Sequence, residues 1–413
     1  MNNLSLLFSG QGSQYVGMGK KLFDEFYEAE TIFNNASEIL GFDLKKKCIE
    51  GNLNELTQTT VAQPAILTLS FAMYKFFKTR YAIQPKFLAG HSLGEISALV
   101  CSGAIDFTDA IKIVKYRSQI MENSTQSGDF AMAAVVGVTS DIVAKKCDEL
   151  SNDKERVVIA NYNAPLQTVI SGHESAINRL KFDDSSISVI KLNVKGAFHS
   201  WVMKPVAEKF LEYLKGVEYK EFQTPVLCNV TSLPYASKND IPSSLAKQIY
   251  SPVQWVKSMS FLKNQNVDFF VEMGPGKVLK NLVMKNIPDV KSFSFDIDED
   301  VKHIEDLIGF KNFKNDVTVV TKCLACAVCT PNANFNDEEY RNFVIKPYRE
   351  IEKIQETIES EKRMPNFEEM KKSLELLSLI VKTKKVSSDE QKEIFNEILE
   401  ETGTKDLFLN FLC

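Results

Sequence analysis

Phe87-Leu88-Ala89-Gly90-His91-Ser92-Leu93-Gly94-Glu95 reads as a strand that breaks on a Gly-x-Ser-x-Gly turn and leaves as a helix. Phe87-Leu88-Ala89 is an apolar strand candidate, and the run from Glu95 to Val100 is helix-like. A turn this sharp needs small residues on both sides of its centre, so that a strained backbone can hold the Ser hydroxyl at the tip of a sheet. The new helix starts beside the reacting atoms, where free N–H groups and the helix dipole can stabilise an oxyanion. Ser92 is therefore the candidate nucleophile, and the strand-turn-helix around it predicts an α/β fold built on a parallel sheet.

A Ser nucleophile needs a base, and the chain has four histidines, His91, His173, His199 and His303. His91 lies inside the elbow and is expected to point away from Ser92. His173 follows a Ser-Gly turn and His303 sits in a charged stretch, so both are expected at the surface. His199, in Gly196-Ala197-Phe198-His199-Ser200, lies between a β-rich run (Ile187 to Val194) and a helix-like segment (Val202 to Leu214). Loops at element ends are where catalytic bases commonly sit.

Further motifs follow one another in order along the chain: Phe8-Ser9-Gly10-Gln11-Gly12-Ser13-Gln14, Gln63-Pro64-Ala65, the elbow with Glu95, Arg117, the His199 loop, Ser251-Pro252-Val253-Gln254-Trp255 and Glu272-Met273-Gly274-Pro275-Gly276. The series resembles the malonyl-CoA:acyl carrier protein transacylase family, which includes the acyltransferase domains of polyketide synthases. The resemblance covers roughly residues 1 to 290 and leaves out the C-terminal part.

That resemblance implies a ping-pong route in which Ser92 attacks the malonyl thioester. His199 takes the proton and later activates the phosphopantetheine thiol of acyl carrier protein. The backbone N–H groups of Gln11 and Leu93 would form the oxyanion hole. A backbone carbonyl at Gln248, rather than an Asp, would orient His199. Arg117 matches the arginine that pairs with the free malonyl carboxylate, a task suited to a planar two-pronged donor. Phe198, Gln63 and Met121 join it as substrate-binding candidates. An Ala-Phe-His loop goes with malonyl in polyketide acyltransferases, whereas Tyr-Ala-Ser-His goes with methylmalonyl; Ala197-Phe198-His199 and Leu93 both point to malonyl, and Gly196 is uninformative. The partners implied are malonyl-CoA, acyl carrier protein and a polyketide synthase, with no cofactor.

Other apparent motifs fail on their chemistry. Ser9-Gly10-Gln11-Gly12 invites a dinucleotide reading, but that fingerprint needs Gly where Tyr15 stands. Gly274-Pro275-Gly276-Lys277 lacks the framework of a phosphate loop and reads as a strand-to-helix turn. Cys323, Cys326 and Cys329 alternate with Ala, Leu and Val and have no fourth ligand nearby, so they read as small core residues and no metal is expected.

At 413 residues and 44% hydrophobic content the chain can hold two or three domains with real cores. A net charge of −5 offers no broad basic face for nucleic acid. Eight cysteines, with Met1 to Phe8 reading as a short strand and not as a leader, predict a reducing, cytoplasmic setting. No apolar run approaches the roughly 18 residues of a membrane span.

The expected architecture is a hydrolase-like parallel-sheet catalytic domain over residues 1–128 and 197–295, with strands and helices alternating from Leu4 to about Ser124. A ferredoxin-like subdomain over 129–196 interrupts it. There Ala131–Val138, Val157–Asn161, Thr168–Ser171 and Ile187–Asn193 read as strands around helices near Asp141–Leu150 and Ser175–Leu180, the order βαββαβ. The resemblance places the active site in the cleft between the two. Residues 296–413 form a helical C-terminal extension: Lys and Glu dominate, apolar residues recur at helical spacing, Ser387 supplies a cap and Gly403 a stop. The extension reads as a cover for an apolar patch, a docking surface for a carrier protein or synthase, or a dimer contact.

Together these readings predict a malonyltransferase that loads acyl carrier protein, acting in trans for polyketide or fatty-acid synthesis. An acyl hydrolase of the same fold that clears stalled chains would not need the Arg117 clamp. A general lipase would lack the Gly-Gln-Gly-Ser-Gln turn. A non-catalytic carrier-binding scaffold would not need Ser92, His199 and Gln11 intact.

Overall fold

Strand β1 (Leu4–Phe8) is buried along its whole length, as a strand covered on both faces must be. It is followed by β2 (Phe87–Gly90), β3 (Phe130–Val136), β4 (Val157–Ala164), β5 (Gln167–His173), β6 (Ser188–Lys191), β7 (Phe269–Met273) and β8 (Lys291–Ser294). The computed structural model describes residues 3–81, 83–124, 129–194, 196–308, 318–360, 365, 367–404 and 408. The chain divides into two units, 1–309 and 310–413.

In the first unit, β2-β1-β7-β8 form a parallel sheet in that order. Phe8 pairs with both Gly90 and Met273, so β1, β2 and β7 end at one level. Gln11, Ser92 and Gly274 leave from those carboxyl ends, the edge where open α/β sheets place their ligands. Between β1 and β2, strand and helix do not alternate as the sequence pattern predicted. Among the described residues that stretch is helical, and its longest helix, Thr59–Tyr81, is buried nearly all round. A helix with apolar residues on every side belongs inside the domain and does not strap one face of a sheet.

The second sheet is antiparallel with the order β4-β5-β3-β6. With helices Ser140–Leu150 and Glu174–Asn178 after β3 and β5, this is the ferredoxin-like arrangement expected from the βαββαβ order. Ala133, Val135, Val143, Cys147, Ile170 and Ile177 are among the residues that close its core. Reciprocal bonds from Val253 N to Ala160 O and from Tyr162 N to Val253 O, both 2.9 Å, join it to the chain that returns toward β7.

The helix Asp298–Ile308, expected to open the C-terminal extension, falls within the first unit. Lys280 Nζ and Ser294 N donate to Asp300 at 2.7 Å, and Arg80 Nη2 donates to Glu305 at 2.7 Å. The second unit comprises helices Val319–Cys329, Asp337–Tyr340, Lys346–Ser360, Phe367–Thr383 and Ser388–Glu401, with a π-helical turn at Arg341–Ile345. Cys323, Ile351, Leu374, Leu377, Ile380, Ile398 and Leu399 lie in its own apolar core. The Ser387 side chain accepts from Glu390 N, and Gly403 takes a positive φ of 66°, as a cap and a stop should. The reading of Cys323, Cys326 and Cys329 as small core residues holds for Cys323 alone: Cys326 is half-buried and Cys329, at the end of its helix, is exposed.

Candidate active site

Ser92 has φ 52° and ψ −104°, a conformation that a non-glycine residue holds only when its surroundings enforce it. The enforcement is visible at the flanking glycines. A Cβ on Gly90 would lie 1.9 Å from the Gly94 carbonyl carbon, and one on Gly94 would lie 2.0 Å from Phe8 O. Strand β1 and the elbow are packed backbone to backbone, so only glycine fits at either position. Asn229 fastens the turn by accepting from Ser92 N at 2.7 Å and donating through Nδ2 to Gly90 O at 2.7 Å.

Ser92 Oγ lies 2.9 Å from His199 Nε2. On the far side of the imidazole, Nδ1–H donates to the Gln248 carbonyl at 2.8 Å. That bond fixes the tautomer and leaves Nε2 as the acceptor for the Ser hydroxyl proton. His199 has a positive φ of 57°, and its own N–H donates to Ile249 O at 3.0 Å, so the loop is pinned at this residue. Burial, with the nearby Arg117 charge second, brings the imidazole pKa down from 6.5 to about 3. The imidazole is therefore neutral at neutral pH, with Nε2 free to accept from the Ser92 hydroxyl.

Arg117, on the Phe107–Asn123 helix, is almost fully buried. Nη1 donates to Gln63 Oε1 at 2.7 Å, and Nη2 donates to Gln248 Oε1 at 3.1 Å and to Ser92 Oγ at 3.2 Å. Nε has no partner among the described residues. Burial lowers the guanidinium pKa to about 10, still far above neutrality, so the group stays charged. All its direct partners are neutral, so no ion pair occupies the guanidinium among the described residues.

Gln11 is tied to this cluster through its side chain: Gln63 Nε2 donates to Gln11 Oε1 at 3.1 Å, and Gln11 Nε2 to Thr59 Oγ1 at 3.3 Å. Among the described residues, the backbone N–H groups of Gln11 and Leu93 make no hydrogen bond. Free donors beside the nucleophile are what an oxyanion hole requires. The structure thus brings Ser92, His199, Arg117, Gln248, Gln63 and Gln11 into one hydrogen-bonded group. Phe198 is buried directly before His199, and Met121 is buried one helical turn beyond Arg117. These apolar side chains are placed by adjacency alone.

His91 turns to the small sheet, its Nε2 2.8 Å from Asn163 Oδ1, and its ring lies 5.4 Å from that of Trp255. His303 is exposed, whereas His173 is half-buried and accepts from Arg156 N at 2.9 Å. Two residues were not picked out from sequence as site residues. Asn229 follows Cys228 in a segment without a catalytic signature. Glu95 is a wholly buried acid on the helix that leaves the elbow. A single acid in an otherwise apolar helix was the available signal for it.

Comparison with known proteins places the chain in a family. Residues 6–299 match the family described as acyl transferase domain. A malonyl CoA-acyl carrier protein transacylase of Bacillus subtilis is 34% identical over 400 residues, covering 95% of this chain and 100% of that relative. The crystal structure of an acyl carrier protein S-malonyltransferase from Vibrio cholerae superposes with a TM-score of 0.69 at 34% identity, covering 73% of this chain and all of that one. A malonyl-transacylase solved in complex with a type II polyketide acyl-carrier protein gives a TM-score of 0.70 at 32% identity, covering 74% of this chain and 100% of that one.

Proposed function

Because this chain belongs to the acyl transferase family of malonyl-CoA:acyl carrier protein transacylases, we propose that it transfers malonyl from malonyl-CoA to the phosphopantetheine thiol of acyl carrier protein through an acyl-Ser92 intermediate. One observation carries the reading. The Arg117 guanidinium is buried among neutral partners within hydrogen-bond distance of the nucleophile Oγ.

Ser92 Oγ attacks the thioester carbonyl and gives its proton to His199 Nε2. The oxyanion is held by the free N–H groups of Gln11 and Leu93. Collapse breaks the C–S bond, and the departing coenzyme A sulfur takes the proton from His199. In the second half-reaction the carrier thiol gives its proton to His199 and attacks the acyl-serine. Ser92 leaves and recovers that proton. Every proton passes through one nitrogen, whose tautomer the Gln248 carbonyl holds, and the sequence calls on no metal or further cofactor.

Arg117 pairs with the free carboxylate throughout, with Gln63 and Gln248 as its supports. Phe198, buried beside the base, limits room at the acyl α-carbon and favours malonyl over methylmalonyl; one methyl is worth about 1–3 kcal/mol in such a pocket. An acyl hydrolase handling neutral chains would bring no carboxylate to the guanidinium's N–H groups, which weighs against that alternative. Service in trans to a polyketide or fatty-acid carrier protein belongs to the same proposal, and a 32% identical transacylase solved in complex with a type II polyketide acyl-carrier protein supports it.

Competition between malonyl-CoA and acetyl-CoA for acylation of the protein tests the assignment. Malonyl should dominate the acyl-enzyme, and equal labelling would contradict the clamp.

A further inference from the structure

The Glu95 side chain makes no hydrogen bond to Ser92, His199 or Arg117 among the described residues; its backbone N–H donates to Ser92 O at 3.1 Å, and its carboxylate reaches the site through Gln248. Its carboxylate is completely buried. Oε2 accepts from Gln248 Nε2 at 2.6 Å and from Asn229 N at 3.1 Å, and Oε1 accepts from the Tyr235 hydroxyl. Burial raises its pKa, and these donors oppose the rise. The set suits the ionised form, which only accepts.

Gln248 is the junction between this acid and the site. Its Nε2 donates to Glu95 and to Ser92 O at 2.9 Å, which leaves Oε1 facing Arg117 Nη2 at 3.1 Å. An amide has one donating end and one accepting end. Turned over, Gln248 would present NH2 to the guanidinium, donor against donor, and its oxygen to the carboxylate. The carboxylate at position 95 and the guanidinium oppose that orientation from the two ends of the amide. The interposed amide has a second effect. A direct Glu–Arg ion pair would occupy the guanidinium, whereas a carboxylate one side chain away offsets its charge and leaves its N–H groups for a ligand.

Resting on the malonyl reading above, we propose that Glu95 is a positioning residue for recognition of the acyl carboxylate. It polarises Gln248 so that the amide oxygen holds Arg117 beside Ser92 while the guanidinium remains unpaired with any acid. Glu95 touches no reacting atom; it acts through Gln248.

The test compares acylation by malonyl-CoA and by acetyl-CoA in the full-length protein and in Glu95→Gln, Arg117→Ala and the double variant. Glu95→Gln keeps the shape and removes the charge, so a packing role alone would leave substrate preference unmoved. The malonyl-to-acetyl ratio of kcat/KM should fall by about tenfold or more, the scale of lost outer-shell support, with acetyl transfer little changed. In the Arg117→Ala background the same change should lower the ratio no further, since both residues act in one unit. An unchanged ratio in Glu95→Gln, or malonyl and acetyl falling together, overturns the proposal. Should Glu95→Gln not fold, Gln248→Met tests the relay from its other end with the same expected fall, and an unchanged ratio there overturns it too. If Arg117→Ala itself leaves the ratio unchanged, the carboxylate clamp fails, and Glu95's proposed role with it; if only Glu95→Gln leaves it unchanged, the clamp stands and the role of Glu95 falls.

Discussion

Arg117 and Ser92 are hydrogen-bonded partners: Nη2 donates to Oγ at 3.2 Å, and the same oxygen lies 2.9 Å from His199 Nε2. One hydroxyl therefore sits between its base and a permanent cation. The cation favours negative charge on Oγ, while its proximity helps keep His199 neutral. A substrate carboxylate that draws the guanidinium to itself would change both effects at once, so acyl choice and nucleophile activation are coupled through one side chain.

Arg117→Ala tests that coupling on substrate choice. Truncating one partner of a buried, hydrogen-bonded charge pair costs about 2–5 kcal/mol. Acetyl has no charge to lose, so the malonyl-to-acetyl ratio of kcat/KM should fall by roughly 30-fold to several thousand-fold. Equal loss of both activities would mean that Arg117 holds the fold and does not select the acyl group.

His199→Ala should slow transfer by about 10³-fold or more, because nucleophile and base act as one unit. Single-turnover rates with malonyl-CoA provide the measurement. A loss of only a few-fold would show that another group takes the Ser92 proton.

The pH dependence has a definite sign. With its folded pKa near 3, His199 is neutral well below its ordinary 6.5. The acid limb of kcat/KM for acetyl-CoA should therefore lie below 6.5 and move upward in Arg117→Ala, where one of the two leading causes is gone. A limb at 6.5 in both proteins would contradict the geometry. For stability, the unfolded chain takes up a proton between pH 6.5 and 3 that native His199 refuses; this contribution is present above 6.5 and is lost as pH falls through that window. Glu272 runs the other way. It accepts from Ser9 Oγ at 2.8 Å, and burial pushes its pKa from 4.5 up to about 7, so its contribution is present below 4.5 and lost as pH rises through 7. The melting temperature of Glu272→Gln, relative to the unaltered protein, should thus rise between about pH 5 and about pH 8. A difference that does not vary with pH would contradict the assignment.

Every residue in the hydrogen-bonded site comes from residues 11–248, inside the first unit. Cutting after Gly309 keeps the Arg80–Glu305 and Lys280–Asp300 pairs and removes the second unit. Acylation by malonyl-CoA should survive in the shortened protein, and a raised KM for carrier protein alone would identify the second unit as a docking module. Loss of acylation in a folded 1–309 protein would contradict the division of labour.

Much of the site was legible in the sequence because its chemistry is carried by short motifs with strict local geometry. Gly90 and Gly94 announce a turn that admits no Cβ, and the placement of His199 at a loop after a β-rich run marks a base. The carbonyl of Gln248 and the clamp at Arg117 came from resemblance, since neither residue has a signature of its own. Glu95 was read only as part of the elbow motif and Asn229 not at all, because their roles depend on partners far away in the chain: Glu95 meets Gln248 across 153 positions, and Asn229 meets Ser92 across 137. Polar residues become site residues only when the fold closes such distances. The stretch between β1 and β2 was misread for a related reason. Apolar residues on every side of the Thr59–Tyr81 helix blur the periodicity that separates one-faced helices from strands.

The central claim is that malonyl passes through Ser92 to a carrier thiol, and intact-mass spectrometry of the protein tests it most directly. Incubation with malonyl-CoA should add one malonyl group, located on Ser92 by peptide mapping and absent from Ser92→Ala. Addition of phosphopantetheinylated acyl carrier protein should then return the enzyme to its starting mass while the carrier gains the malonyl group. A malonyl adduct that forms on Ser92→Ala, or one that is released only to water when the carrier is supplied, would contradict the account.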